Sequence, residues 1–134
     1  HPASHHGGKE ENVLDFNQIC TYRMSTLPYF LEKLQNTMAG ETSLLDQSMI
    51  MWGSPMADAN LHNHRRAPLM FLGKANGQLE GNLHLQASEG TPMANAMLTA
   101  LHKLGLDDMD QFGDSTGEFA LNYSGPTAEE QTRG

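Results

Sequence analysis

Five of the seven histidines fall into two tight groups. The first is His1, His5 and His6. The second lies in the segment Gly53-Ser54-Pro55-Met56-Ala57-Asp58-Ala59-Asn60-Leu61-His62-Asn63-His64-Arg65-Arg66, which offers a carboxylate at Asp58 and imidazoles at His62 and His64. Neutral imidazole and carboxylate are ligands of borderline divalent cations, so this set suits zinc first, and iron or manganese next. The spacing from His62 to His64 lets both rings face one point where the backbone between them is extended. A second histidine group strengthens the case, because ligands of one ion commonly come from separated segments. Asp58, His62, His64, His1, His5 and His6 are therefore the candidate metal ligands. The competing reading has Asp58 capping a turn while His62 and His64 are solvated or bonded to carbonyls.

Other chemistry is less well supported. Ser4 adjoins His5, but a hydroxyl nucleophile needs its base placed in space, and neighbours along an extended chain point apart. Arg65-Arg66 could grip an anion through bidentate contacts, although pairing with surplus carboxylates is the commoner fate. Gly113-Asp114-Ser115-Thr116-Gly117 is not a phosphate loop, because it lacks the lysine and the following helix. The nine methionines read as core filling, Cys20 as buried packing, and His102 as a partly exposed surface histidine. His84 alternates with Leu83 and Leu85 and so faces away from them.

These residues need elements to hold them. The spacing of Phe16, Ile19, Cys20, Tyr22, Leu27, Phe30, Leu31, Leu34 and Met38 predicts a long amphipathic helix. Asn12 and Asp15 would cap its start and Gly40 would stop it. Pro28 must kink or split it. Ser48 to Trp52 and Ala67 to Gly73 are unbroken apolar runs, as expected of parallel-type strands covered on both faces. Between Gln78 and Gln86, Leu79, Leu83 and Leu85 suggest a weaker strand pair around Gly81-Asn82. Thr91-Pro92 opens a second helix with Ala94, Met97, Leu98, Leu101 and Leu104 on one face. The order predicts an α/β fold with too few strands to close its own sheet. The loop after Trp52 would then lie beyond the carboxyl end of a strand, where open α/β sheets bind ligands. Residues 122–134, with no periodicity, read as a flexible tail.

The chain has 134 residues, 38% of them hydrophobic and 18% charged, which allows a folded core and excludes a disordered acidic tail. With 8 basic and 16 acidic side chains the formal charge is -8, which argues against nucleic acid as a partner. No apolar run approaches the roughly 18 residues of a membrane span. A lone cysteine excludes an internal disulfide framework.

His1-Pro2-Ala3-Ser4-His5-His6 resembles the His-x-x-Ser-His-His signature of the HXXSHH domain, a bacterial family of unknown function. The likeness extends through Tyr29-Phe30-Leu31-Glu32-Lys33-Leu34, Ser43-Leu44-Leu45-Asp46, the Asp58-x-Asn60-x-His62-x-His64 loop and Gly113-Asp114-Ser115-Thr116-Gly117, up to about Leu121. The resemblance implies that residues 1–121 are the carboxyl-terminal portion of a longer exported protein. Its upstream part would be this segment's partner, and it would act in the periplasm or at the cell surface. The family is in turn distantly similar to the alkaline-phosphatase and sulfatase superfamily. That implies an α/β/α layered sheet whose strand ends hold metals, with Thr91-Pro92 opening a recurrent helix. The superfamily's nucleophile follows its first strand and has no counterpart here.

Three readings result. One is the metal-binding segment of an exported hydrolase acting on phosphate or sulfate esters. Another is a non-catalytic subunit of a periplasmic or surface assembly, with a protein partner. The third takes His1 as a mature amino terminus whose amine and imidazole hold copper.

Overall fold

The computed structural model describes residues 3–121; His1 and the 122–134 segment lie outside the described residues. The chain divides into two compact units, His1–Gly77 and Gln78–Gly134. Helix α1 (Glu10–Gln35) opens the first unit. It is followed by strands β1 (Met38–Ala39) and β2 (Thr42–Ser43), helix α2 (Leu44–Gln47), and strands β3 (Ile50–Gly53) and β4 (Leu69–Leu72). A single 3-10 turn, Ala75–Gly77, closes it. The second unit contains helix α3 (Met93–Lys103). The fold is mixed α and β, with three helices and two small sheets among the described residues.

Helix α1 starts earlier than the cap at Asn12 predicts. Gly7 and Gly8 take positive φ of 61° and 74°, the turn glycine allows, and the helix begins at Glu10. Asn12 instead donates from its side chain to the His6 carbonyl, 3.2 Å away. Pro28 lies inside the helix, which runs on to Gln35 without splitting. The buried stripe is narrower than expected. Leu27 is buried and Phe16, Leu31 and Leu34 are half-buried, but Ile19, Cys20, Tyr22 and Phe30 are exposed. Cys20 is thus a surface thiol and not packing, because only α2 among the elements covers this helix substantially.

The strands correct the sheet expectation. β3 and β4 pair antiparallel, Ile50 opposite Leu72 and Gly53 opposite Leu69. β3 alternates half-buried and exposed residues, so it is not covered on both faces. The connection agrees: residues 54–68 contain no crossover helix of the kind that usually joins parallel neighbours. The Gln78–Gln86 segment forms no strand either. Leu79, Leu83 and Leu85 are half-buried and His84 exposed, so the alternation is present. Asn82, left-handed at φ 62°, bends the backbone where a ladder would run.

Two short elements have local causes. Gly40, at φ 73°, turns β1 into β2. Ser43 then caps α2: its hydroxyl accepts from the Asp46 amide at 3.1 Å, and the Asp46 carboxylate reaches back to the Ser43 amide at 3.4 Å, a capping box. Asp46 also pairs with Lys74 at 2.7 Å. Lys74 first, and then the Ser43 hydroxyl, hold the Asp46 carboxyl below its ordinary value. A lowered carboxylate pKa contributes stability at pH above the ordinary value near 3.8, and that contribution is lost as pH falls through the lowered one. Asp46→Asn is therefore expected to flatten the acid limb of the stability–pH curve below about pH 4, measured by chemical denaturation. Ser43→Ala should cost about 1 kcal/mol at neutral pH by removing the cap.

In the second unit the core is α3, where Ala94, Ala96, Leu98 and Ala100 are buried together with Asn95 and Thr99. The two polar residues clip residues 115–119 to the helix. The Asn95 side chain accepts from the Thr116 amide at 2.9 Å and donates to the Thr116 hydroxyl at 3.2 Å. The Thr99 hydroxyl accepts from the Phe119 amide at 2.8 Å. The Gly113–Gly117 loop is thus a turn that ends in a structural clip.

Candidate metal centre

The loop between β3 and β4 is folded on itself by Asp58. Its Oδ1 accepts the amides of Asn60 at 2.9 Å and Leu61 at 3.1 Å, an Asx turn. Asn63 closes the turn, donating to the Asp58 carbonyl at 2.9 Å while its own carbonyl accepts from Ala57 at 2.8 Å. The chain reverses within this turn, which places His62 in the left-handed region at φ 51°. Between the two histidines, Asn63 pairs with Asp58 in an isolated antiparallel bridge. The turn-capping role for Asp58, the plainer alternative, is what the geometry realises.

Each histidine then has its own environment. His64 is exposed, and its Nδ1 lies 2.8 Å from the Pro55 carbonyl. A carbonyl only accepts, so Nδ1 carries the proton and Nε2 holds the lone pair. A carbonyl or carboxylate bonded to one ring nitrogen is the usual way a metal-ligating histidine is oriented. His6 is half-buried; its Nδ1 accepts from the Gly8 amide at 3.1 Å, and its ring lies 6.4 Å from that of Phe16.

The two histidine groups meet through His5 and His62. Their rings are in edge contact with centroids 4.8 Å apart. A backbone tie fixes the meeting: the Gly7 amide donates to the Asn60 side-chain oxygen at 2.9 Å, linking positions 53 residues apart. Both belong to the first compact unit. Two imidazoles on one tetrahedral zinc, with Zn–N near 2.0–2.1 Å, have centroids about 5 Å apart. A centroid spacing of 4.8 Å is also that of an ordinary edge-to-face ring contact, and the number of histidines brought together is two. Among the described residues no group of three or more His, Cys, Asp or Glu gathers at one point. His1 lies outside the described residues.

The sequence did not reveal a second histidine environment. His102, in the last turn of α3, is clasped on both sides. Nδ1 bonds the Glu118 carboxylate and Nε2 lies 2.7 Å from the Met109 carbonyl. Nothing in the local spacing announces partners 7 and 16 residues away. The helix periodicity placed His102 beside Leu98 and Leu101 and stopped there.

Comparison with family models, curated proteins and solved structures finds no match to this chain. Among the described residues no helix is long and apolar enough to cross a membrane.

Proposed function

We propose that this chain is the metal-binding segment of an exported, hydrolase-like protein, with His5 and His62 as the first two ligands of a divalent cation, zinc before others. The supporting observation is the edge contact of two imidazoles brought from remote segments and fixed by the Gly7–Asn60 tie. His64 is the next donor in line, because its lone pair is already assigned to Nε2. His6, His1 and Asp58 are the reserve. Asp58 Oδ1 is engaged in the turn, and a carboxylate has a second oxygen for other use. A cation held there supplies Lewis-acid polarisation of a phosphate or sulfate ester oxygen. The chain's own part is to orient imidazoles and to offer Arg65-Arg66 beside them for an anionic group.

On this reading the segment is the carboxyl-terminal part of a larger, alkaline-phosphatase-like α/β/α layer in the periplasm or at the cell surface. Two features support incompleteness. Two-stranded sheets are marginal alone, and Tyr22, Tyr29 and Phe30 of α1 are exposed. The same exposed apolar surface supports the second reading, a non-catalytic subunit docked in an assembly.

Equilibrium dialysis of the full chain against zinc tests the metal reading. The intact chain should bind stoichiometrically, and His62→Ala should weaken binding at least about tenfold with the fold retained, while His84→Ala should not. Equal binding by all three, or none, overturns it. Ester hydrolysis lost in His62→Ala favours the hydrolase. No hydrolysis in any form, with partner binding unchanged, favours the subunit.

A further inference from the structure

The clasp on His102 lies along an open groove of about 400 Å³ lined by Gln78, Thr99, Lys103, Asp107, Glu118 and Phe119. A carboxylate and a backbone carbonyl can only accept hydrogen bonds. Both ring nitrogens face such acceptors, so the contacts as they stand require both ring protons, that is, the imidazolium. A neutral ring carries one proton and can serve one acceptor. We propose that His102 is a pH-dependent clasp that, when doubly protonated, holds both the Met109 turn and the segment around Glu118 to the end of α3, and lets go of the Met109 turn when it loses a proton.

The choice of which arm opens follows from bond strength. Hydrogen bonds to an ionised acceptor are about twice as strong as neutral ones, so the remaining proton stays on Nδ1 toward Glu118. The Met109 carbonyl is then left facing a lone pair. Beyond it the turn is tied back through Leu106, whose amide donates to the Leu101 carbonyl at 3.1 Å, while Met109 itself has a long amide contact to the Leu106 carbonyl at 3.3 Å. The Glu118 arm differs, because Thr99 independently holds the Phe119 amide at 2.8 Å. The two arms thus have unequal support, which makes one a hinge and the other an anchor.

The charged groups around the ring agree. Glu118 and Asp107 are the acids facing it, and Lys103 is the base beside it, with its ammonium donating to the Gln78 carbonyl at 2.7 Å. The Met109 bond first, then Glu118, raise the His102 pKa above its ordinary value near 6.5. The end of α3 adds a favourable negative pole for a cation in its last turn. A raised histidine pKa contributes stability that is complete below the ordinary value and lost as pH rises through the raised one. The Met109 arm is therefore held at pH below the ordinary value near 6.5 and is released as pH rises through the raised one.

The experiment is NMR of the full chain between about pH 5 and 9, following the His102 ring signals and the exchange protection of the Met109 and Phe119 amides after correction for intrinsic exchange. The clasp predicts that His102 titrates above its ordinary value near 6.5, and that Met109 protection falls along that same curve while Phe119 protection persists. Glu118→Gln, which leaves the turn sequence intact, should move the His102 midpoint downward and carry the Met109 change with it. A Met109 amide indifferent to the His102 titration, or both amides losing protection together, overturns the proposal. So does a midpoint unmoved by Glu118→Gln.

Discussion

Gly73→Ala is expected to unfold or nearly unfold the first unit, with a loss of about 3–5 kcal/mol. Gly73 follows β4 at φ 94°, and a Cβ built there would lie 2.3 Å from the Ser48 carbonyl oxygen and 2.9 Å from that of Leu45. Those same carbonyls accept the Ala75 amide at 2.9 Å and the Lys74 amide at 3.3 Å. Relieving the clash therefore means breaking the bonds that seat the Ala75–Gly77 turn on α2. Gly77→Ala is the control. Its φ is 87°, but nothing lies within 4 Å of the added carbon, so only the cost of the left-handed backbone, about 1–2 kcal/mol, applies. Denaturant melts of both variants measure the difference. Equal losses would mean that the close approach at Gly73 contributes nothing.

Leu98→Ala should cost the second unit about 3 kcal/mol, within the usual range for a fully buried leucine. Leu98 is 2% exposed, and the other buried apolar residues of the helix, Ala94, Ala96 and Ala100, are too short to fill the space. A unit this small has little stability in reserve, so the loss should bring it near its unfolding midpoint at room temperature. The expected sign is a lowered melting temperature for the signals of α3 and of the clipped 115–119 segment together. Leu101, half-buried on the same helix, should lose less on the same change.

What the sequence conveys is the placement of elements and less often their partners. Apolar periodicity located α1 and α3, and the runs Ser48 to Trp52 and Ala67 to Gly73 located β3 and β4 to within a few residues. Continuous apolar composition cannot report pairing direction, and parallel strands were the wrong inference from it. The Ser43 to Asp46 spacing is a capping-box signature that could have revealed α2. Asn95 and Thr99 stand four apart on an otherwise apolar helix, a spacing that signals buried polar partners elsewhere in the chain. The meeting of His5 with His62 follows from the histidine groups only as chemistry, because a tie across 53 residues leaves no periodic trace. The turn that Asp58 Oδ1 makes with the Asn60 and Leu61 amides was open in the sequence only as the alternative to a ligand role.

The most direct measurement of the central claim is a zinc titration of the full chain followed by the histidine ring signals in NMR. The account predicts that His5 and His62 shift together at the lowest zinc, with His64 following and His84 unchanged. Shifts of His5 and His62 that occur at different zinc concentrations, or not at all while the fold is intact, would contradict it.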